Sequence, residues 1–172
     1  MAPPTSTTAI ERAQQRAQDG SAASIELLAR LVRVPSLTGE EGPAQGVVAE
    51  ELRVLGAEVH EAEPDVAALF ERFPRVAQYP THWQHDLILP YDELPTYEAL
   101  RASGLESVLH YRGRPNVVGH FKGHGGGRSL ILNAHVDTVT IEPRDRWRRD
   151  PWGAQIDAGR MYGRGTSDMK GG

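Results

Sequence analysis

The amino-acid sequence predicts an α/β fold in which helices flank a mixed sheet. Two segments with apolar residues at helical spacing lie in the amino-terminal third of the chain, and a short alternating segment follows them. From Asn116 onward, apolar runs bounded by glycine-rich turns return, and such runs are typical of strands. Helices followed by a strand and then a hairpin are typical of a mixed α/β sheet.

Local signals place the helices and the first strand. A helix is predicted over Thr8–Gln18, and a second helix, "SIELLARLVRV", is predicted to begin at Ser24 and to end at Pro35. A third helix, "PAQGVVAEELRVLG", is predicted to stop at Gly56, because glycine is favoured just after a helix. The segment "AEVHEAEP" alternates in polarity and predicts a short strand.

The second half of the chain predicts further strands. The runs "NVVGHF" and "LILNAHV" flank the loop "KGHGGGRS" and predict a hairpin whose second strand is buried. The segment "AQIDAGRMYGRG" predicts another strand, turn and strand. Residues 61–112 are rich in proline and show no periodicity, so we expect an insertion there, with short helices in "DVAALFERF" and "YEALRASG". Residues 1–21 are expected to form a disordered or helical extension.

Composition excludes several classes of function. The chain has 172 residues, a net charge of −4 and no cysteine, which rules out disulfides, thiolate metal ligands and a cysteine nucleophile. The charge gives no global attraction to nucleic acid or to an anionic membrane. No run approaches the roughly 18 apolar residues of a membrane span. We therefore expect a cytoplasmic protein whose partners are neither nucleic acids nor membranes.

A histidine and an aspartate stand two residues apart where the apolar run "ILNAHVD" ends. Alternate residues of a strand point to the same side, so His135 and Asp137 are predicted to lie together. A metal-binding histidine usually donates its other ring N–H to a carboxylate, and the pair suits that arrangement. The alternative is a structural histidine beside a loop.

A second aspartate follows in the glycine-flanked segment "GRGTSDMKGG". Gly163 and Gly165 permit tight or left-handed backbone, so the turn can present Asp168 in a fixed direction. A carboxylate can bridge two divalent ions, which is a recurring device in hydrolases. The alternative is an ordinary turn with a solvated aspartate.

Taken in order, "ILNAHVDTV", "DPWG" and "YGRGTSDMKGG" resemble motifs of the M20 metallopeptidase family. The segments "LLARLVRVPSLTGEEGPAQGVVAEELRVLGAEV" and "GRPNVVGHFKG" also look like that family, so the resemblance covers roughly residues 22–60 and 113–172. Within the family, the chain most resembles the acetylornithine deacetylase and succinyl-diaminopimelate desuccinylase branches. The resemblance implies a zinc-peptidase catalytic domain that hydrolyses the amide bond of N-acyl amino acids or peptides.

The resemblance also implies roles for three residues and a pair of metal ions. His135 would bind one metal ion, Asp168 would bridge two, and Asp137 would serve catalysis by orienting His135. The ions would be zinc, with cobalt or manganese as alternatives. The bridging aspartate of the family is commonly followed by a cis peptide, which would be Asp168–Met169 here.

Other parts of the family pattern have no counterpart in these 172 residues. The family's general base, a glutamate, its remaining acidic and histidine ligands, and its lid and dimerisation domain all come later. We therefore expect residues 22–172 to be an incomplete catalytic domain that holds metal weakly and does not catalyse alone, because zinc normally takes four ligands. The alternatives are a non-catalytic binding product of the same fold and an unrelated α/β binding module.

Overall fold

The computed structural model describes residues 8–73 and 111–172. Its helices are α1 (Ala9–Asp19), α2 (Ser21–Arg33), α3 (Gly42–Val54) and α4 (Val66–Arg72). Its strands are β1 (Glu58–Ala62), β2 (Asn116–His120), β3 (Gln155–Asp157) and β4 (Arg160–Tyr162). Within this part of the chain, no helix is long and apolar enough to cross a membrane.

The helices begin and end close to the residues that the sequence predicts, with one exception. Thr8 caps α1 in a capping box with Glu11, and Gly56 follows α3 with a φ of 85°. The second helix begins at Ser21 and not at Ser24, so the predicted start is wrong. The reason is Gly20, which has helical dihedrals and whose carbonyl accepts the amide of Ser24 at 3.0 Å, so the helix extends back past Ser24.

Helices and small strands are both present, but the described strands do not form the predicted mixed sheet. Strands β1 and β2 pair antiparallel, with Val59 opposite Gly119, and β3 pairs antiparallel with β4. The pairing of β3 with β4 confirms the strand, turn and strand predicted over residues 154–165. Parallel pairing in the described residues is limited to an isolated bridge between Leu37 and Thr138.

The predicted hairpin and its buried second strand are wrong. Strand β2 pairs with β1, and Gly119 lies so close to Leu52 of α3 that a Cβ there would stand 2.9 Å from a Leu52 methyl. Residues 130–137 contain no strand, and Leu130, Ile131 and Leu132 are 80%, 88% and 87% exposed. An apolar run becomes a buried strand only where other elements cover it, and no described element covers this one.

The buried core joins α2 to the carboxyl-terminal segment. Ala29 and Val32 of α2 pack with Ala154, and the partly buried Leu28 and Met161 extend this cluster. The packing anchors β3, β4 and the turn after them against α2. The predicted insertion falls largely outside the described residues, as does the predicted helix "YEALRASG", while α4 confirms the helix in "DVAALFERF".

Candidate functional site: a histidine between two aspartates

The side chains of His135 and Asp137 lie together, although these residues do not belong to a strand. Nδ1 of His135 is 3.1 Å from Oδ1 of Asp137 and 3.2 Å from the Asp137 backbone carbonyl oxygen. Both oxygens are acceptors, so they favour the tautomer in which Nδ1 carries the proton. In that tautomer the lone pair of Nε2 points away from Asp137.

The other ring nitrogen of His135 faces Asp168. Nε2 is 3.2 Å from Oδ1 of Asp168, whose side chain is 89% exposed, and the His135 side chain is 48% exposed. The two aspartates therefore flank opposite sides of one imidazole. The Asp168–Met169 peptide bond is cis, as the resemblance implies.

A buried segment after α2 holds the His135 side of the site in place. Ser36 Oγ donates to the Val136 carbonyl at 2.6 Å, and the Thr138 amide donates to the Ser36 carbonyl at 2.8 Å. The Thr38 amide donates to the Thr138 carbonyl at 3.3 Å, and Thr38 Oγ1 donates to Oδ2 of Asp137 at 3.0 Å. These four hydrogen bonds fix residues 136–138 against the end of α2. Sequence reasoning missed Ser36 and Thr38, since "PSLTGEEG" carries only the signal of a turn.

The Asp168 side of the site is tied to the same helix by a buried lysine. The Lys170 ammonium donates to the carbonyls of Leu31 and Val34 at 2.8 and 3.0 Å, and the residue is 8% exposed. Burial lowers the pKa of Lys170 from 10.5 to about 8. Sequence reasoning also missed this lysine, because its burial depends on contacts with residues more than a hundred positions earlier.

Glycine is required at positions 163 and 165 of the turn for two different reasons. Gly165 has a φ of 85°, which favours glycine, as the sequence predicts. Gly163 is required by packing, because a Cβ there would lie 2.5 Å from Cγ1 of the buried Val32. The close contact places the turn directly on α2, and Asp168 follows within five residues.

The donor atoms fit part of a divalent metal site. Two ligands at about 2.0–2.1 Å from a tetrahedral zinc ion stand about 3.3–3.4 Å apart. Nε2 of His135 and Oδ1 of Asp168, 3.2 Å apart, match that separation. Across residues 8–73 and 111–172, however, no group of three or more histidine, cysteine, aspartate or glutamate side chains is placed to hold a metal ion. One imidazole and one carboxylate therefore face the position where an ion would lie.

An exposed imidazole and carboxylate, with a second carboxylate behind the imidazole, have the donor chemistry of a metallohydrolase. Residues 131–172 match the family described as Peptidase family M20/M25/M40. This segment contains His135, Asp137 and Asp168, and the match confirms the M20 resemblance there. The resemblance proposed for residues 22–60 lies outside the match and stays a prediction.

Curated relatives agree with the family match. The chain is 45% identical over 64 residues to N-formyl-4-amino-5-aminomethyl-2-methylpyrimidine deformylase of Bacillus subtilis, which covers 36% of the chain and 15% of the relative. It is 34% identical over 76 residues to succinyl-diaminopimelate desuccinylase of Beijerinckia indica, covering 42% and 20%. A desuccinylase of Stenotrophomonas maltophilia is 51% identical over 49 residues, covering 28% and 13%. The chain thus spans a fifth or less of the length of these relatives.

Proposed function

We propose that the chain supplies part of a two-metal site in a hydrolase that cleaves the amide bond of N-acyl amino acids or peptides. One observation carries the proposal. Nε2 of His135 lies 3.2 Å from Asp168, and Asp137 occupies the opposite side of the ring, within the segment that matches the M20 family. A structural histidine would need only one of these two partners.

Each residue of the site has a distinct proposed role. Nε2 of His135 would bind one metal ion, and the carboxylate of Asp168 would bridge this ion and a second one. The carboxylate of Asp137 would accept a hydrogen bond from the Nδ1–H of His135, so that the proton stays on Nδ1 and the unprotonated Nε2 is directed at the metal ion. A divalent ion, when bound, supplies Lewis acidity toward an amide carbonyl and a water nucleophile at neutral pH. The exposure of Asp168 leaves the metal-facing side of the site open to substrate.

The names of the relatives support an acyl group on nitrogen as the substrate feature. They are a deformylase and two desuccinylases, so enzymes of this sequence type remove acyl groups of different size. We propose a small N-acyl amino acid or a peptide as substrate, with an acetylornithine deacetylase-like activity as the narrower candidate. The M20 family is often homodimeric, but its dimerisation domain has no counterpart in these residues, so we propose no homodimer for them. Zinc as the native metal, the cytoplasmic location and the division into domains also remain predictions.

The small number of metal-ligating side chains at the site indicates that these residues would bind metal only weakly by themselves. A catalytic zinc ion usually has three protein ligands, whereas His135 and a shared Asp168 give at most two per ion. Loss of a general base alone typically costs a factor of about 10²–10⁴ in rate. We therefore propose that the 172-residue chain binds divalent metal weakly and has no amidohydrolase activity by itself.

Titration with cobalt tests the metal site. We expect the visible absorption of Co²⁺ bound to the 172-residue chain to be lost in His135→Ala. His60→Ala is the matched control, because His60 is also exposed and its Nε2 lies 3.3 Å from a carboxylate, that of Glu58. Equal cobalt binding by the wild type and His135→Ala would contradict the proposed function.

The nucleotide sequence beyond codon 172 tests the proposed enzyme class. The M20 resemblance leads us to expect an open frame that encodes a Glu-Glu or Glu-Asp pair some tens of residues after Asp168. A stop codon immediately after codon 172 would favour a non-catalytic product of the same fold.

A further inference from the structure

We propose that Thr38 is a positioning residue for the metal site, acting through Asp137 on His135. The inference rests on the proposed function, because it assigns Thr38 a part in how His135 is presented to a metal ion. The hydroxyl of Thr38 donates to Oδ2 of Asp137 at 3.0 Å, and the two residues are 99 positions apart in the sequence. The family match does not include Thr38.

The two oxygens of the Asp137 carboxylate have separate partners. Oδ2 accepts from Thr38 at 3.0 Å, and Oδ1 lies 3.1 Å from Nδ1 of His135. A carboxylate held at one oxygen can still rotate about its terminal torsion, which is broad in aspartate. A carboxylate held at both oxygens has one orientation. Thr38 therefore determines which oxygen of Asp137 faces the imidazole, and at what angle.

Thr38 is itself held rigidly enough to serve this purpose. The residue is 9% exposed, and its amide donates to the Thr138 carbonyl at 3.3 Å. The next residue, Gly39, has a φ of 102°, and its amide donates to the Glu41 carboxylate at 2.7 Å. Glu41 in turn pairs with Arg114 at 3.3 Å, with both side chains largely buried. The turn after Thr38 is thus fixed by its backbone conformation and by a buried ion pair.

The consequence for metal binding follows from the order of contacts. Thr38 contacts Asp137, Asp137 contacts His135, and His135 contacts Asp168. An ion between Nε2 of His135 and Asp168 would therefore be bound by a ring whose orientation Thr38 helps to determine. Loss of the hydroxyl would leave Asp137 with one anchor and would let the imidazole rotate. We expect cobalt affinity to fall by about 3- to 10-fold, the range that corresponds to one net hydrogen bond.

Thr38→Val and Thr138→Val form a matched pair for this test. Both threonines are buried and lie in the two segments joined by the bridge between Leu37 and Thr138, but the Thr138 hydroxyl donates to the Ser36 carbonyl at 3.4 Å, whereas that of Thr38 donates to Asp137. In a titration with Co²⁺ alone, we expect Thr38→Val to bind about 3- to 10-fold more weakly, and Thr138→Val to bind as the wild type does. Thr38→Ser, which keeps the hydroxyl, should restore the affinity to within about 2-fold. Thr38→Ala replaces Thr38→Val if the latter does not fold.

A metal-free measurement separates this inference from the proposed function. Long-range ¹H–¹⁵N spectra of the His135 ring, recorded with a chelator present, report how the proton is shared between Nδ1 and Nε2. We expect the fraction of His135 rings with the proton on Nδ1 to fall in Thr38→Val and to be unchanged in Thr138→Val. Equal ring spectra and equal cobalt affinity for the two variants would overturn the role of Thr38. If His135→Ala bound cobalt as tightly as the wild type, the proposed function would fail, and the ring spectra alone would decide for or against Thr38.

Discussion

The buried Lys170 should make the stability of the protein depend on pH. Its ammonium is buried and donates to the carbonyls of Leu31 and Val34 at the end of α2. Burial lowers the pKa of Lys170 from 10.5 to about 8. Between these two pH values the unfolded chain binds more protons than the folded chain, so the free energy of unfolding rises with pH. Below about pH 8 the charged ammonium opposes folding by a constant amount.

The perturbation is Lys170→Met, which keeps the length of the side chain and removes the charge. With pKa values of about 8 in the folded and 10.5 in the unfolded protein, the unfolding free energy of the wild type should rise by roughly 2–3 kcal/mol between pH 7 and pH 10 relative to the variant. At pH 7 the variant escapes the cost of a buried charge but leaves two carbonyls without their donor, at about 1–3 kcal/mol each. The two effects oppose each other at pH 7, whereas most of the first is lost by pH 10 and the second then predominates.

Urea unfolding followed by tryptophan fluorescence measures the effect, since the ammonium lies 5.9 Å from the ring of Trp152. The quantity to compare is the difference in unfolding free energy between wild type and Lys170→Met at pH 7 and at pH 10. Other titrating groups are the same in both proteins and cancel in that difference. Parallel pH dependences for the two proteins would show that burial does not lower the pKa of Lys170.

Three further predictions concern packing, metal binding and activity. Gly163→Ala should destabilise the protein by about 1–3 kcal/mol in urea, because its Cβ would stand 2.5 Å from Cγ1 of Val32 and 3.1 Å from the Pro151 carbonyl; unchanged stability would contradict the packing described here. Asp137→Asn should weaken zinc binding by about 10–100-fold in calorimetric titration, because the ring of His135 loses its carboxylate partner; wild-type affinity would argue against an orienting role. The 172-residue chain with zinc or cobalt should hydrolyse N-acetyl amino acids no faster than its His135→Ala variant, and turnover above that background would overturn the predicted inactivity.

Local sequence signals were sufficient for the elements that depend on near neighbours. The capping residue Thr8, the terminating Gly56 and the turn between β3 and β4 act within a few positions of the chain, and the structure follows them. The run at Leu130–Leu132 shows the limit of such signals. Its apolar composition predicts burial, but burial depends on elements elsewhere, and in the described residues none covers it.

Some residues of the candidate site could also be predicted from local sequence, whereas others could not. His135, Asp137 and Asp168 could be selected from short motifs, and the structure brings their side chains together. Thr38 and Lys170 could not be selected, because each acts through partners about a hundred or more positions away. A threonine in a turn and a lysine in a glycine-rich segment normally face solvent, so only the three-dimensional contacts reveal their burial.

The proposed function rests on the claim that a divalent metal ion binds between His135 and Asp168. Anomalous diffraction at the zinc edge, recorded from crystals of the chain grown with zinc, would locate a bound ion. We predict a peak about 2.0–2.1 Å from Nε2 of His135 and from a carboxylate oxygen of Asp168. Zinc bound at His60 and His120, with none at His135, would contradict the claim.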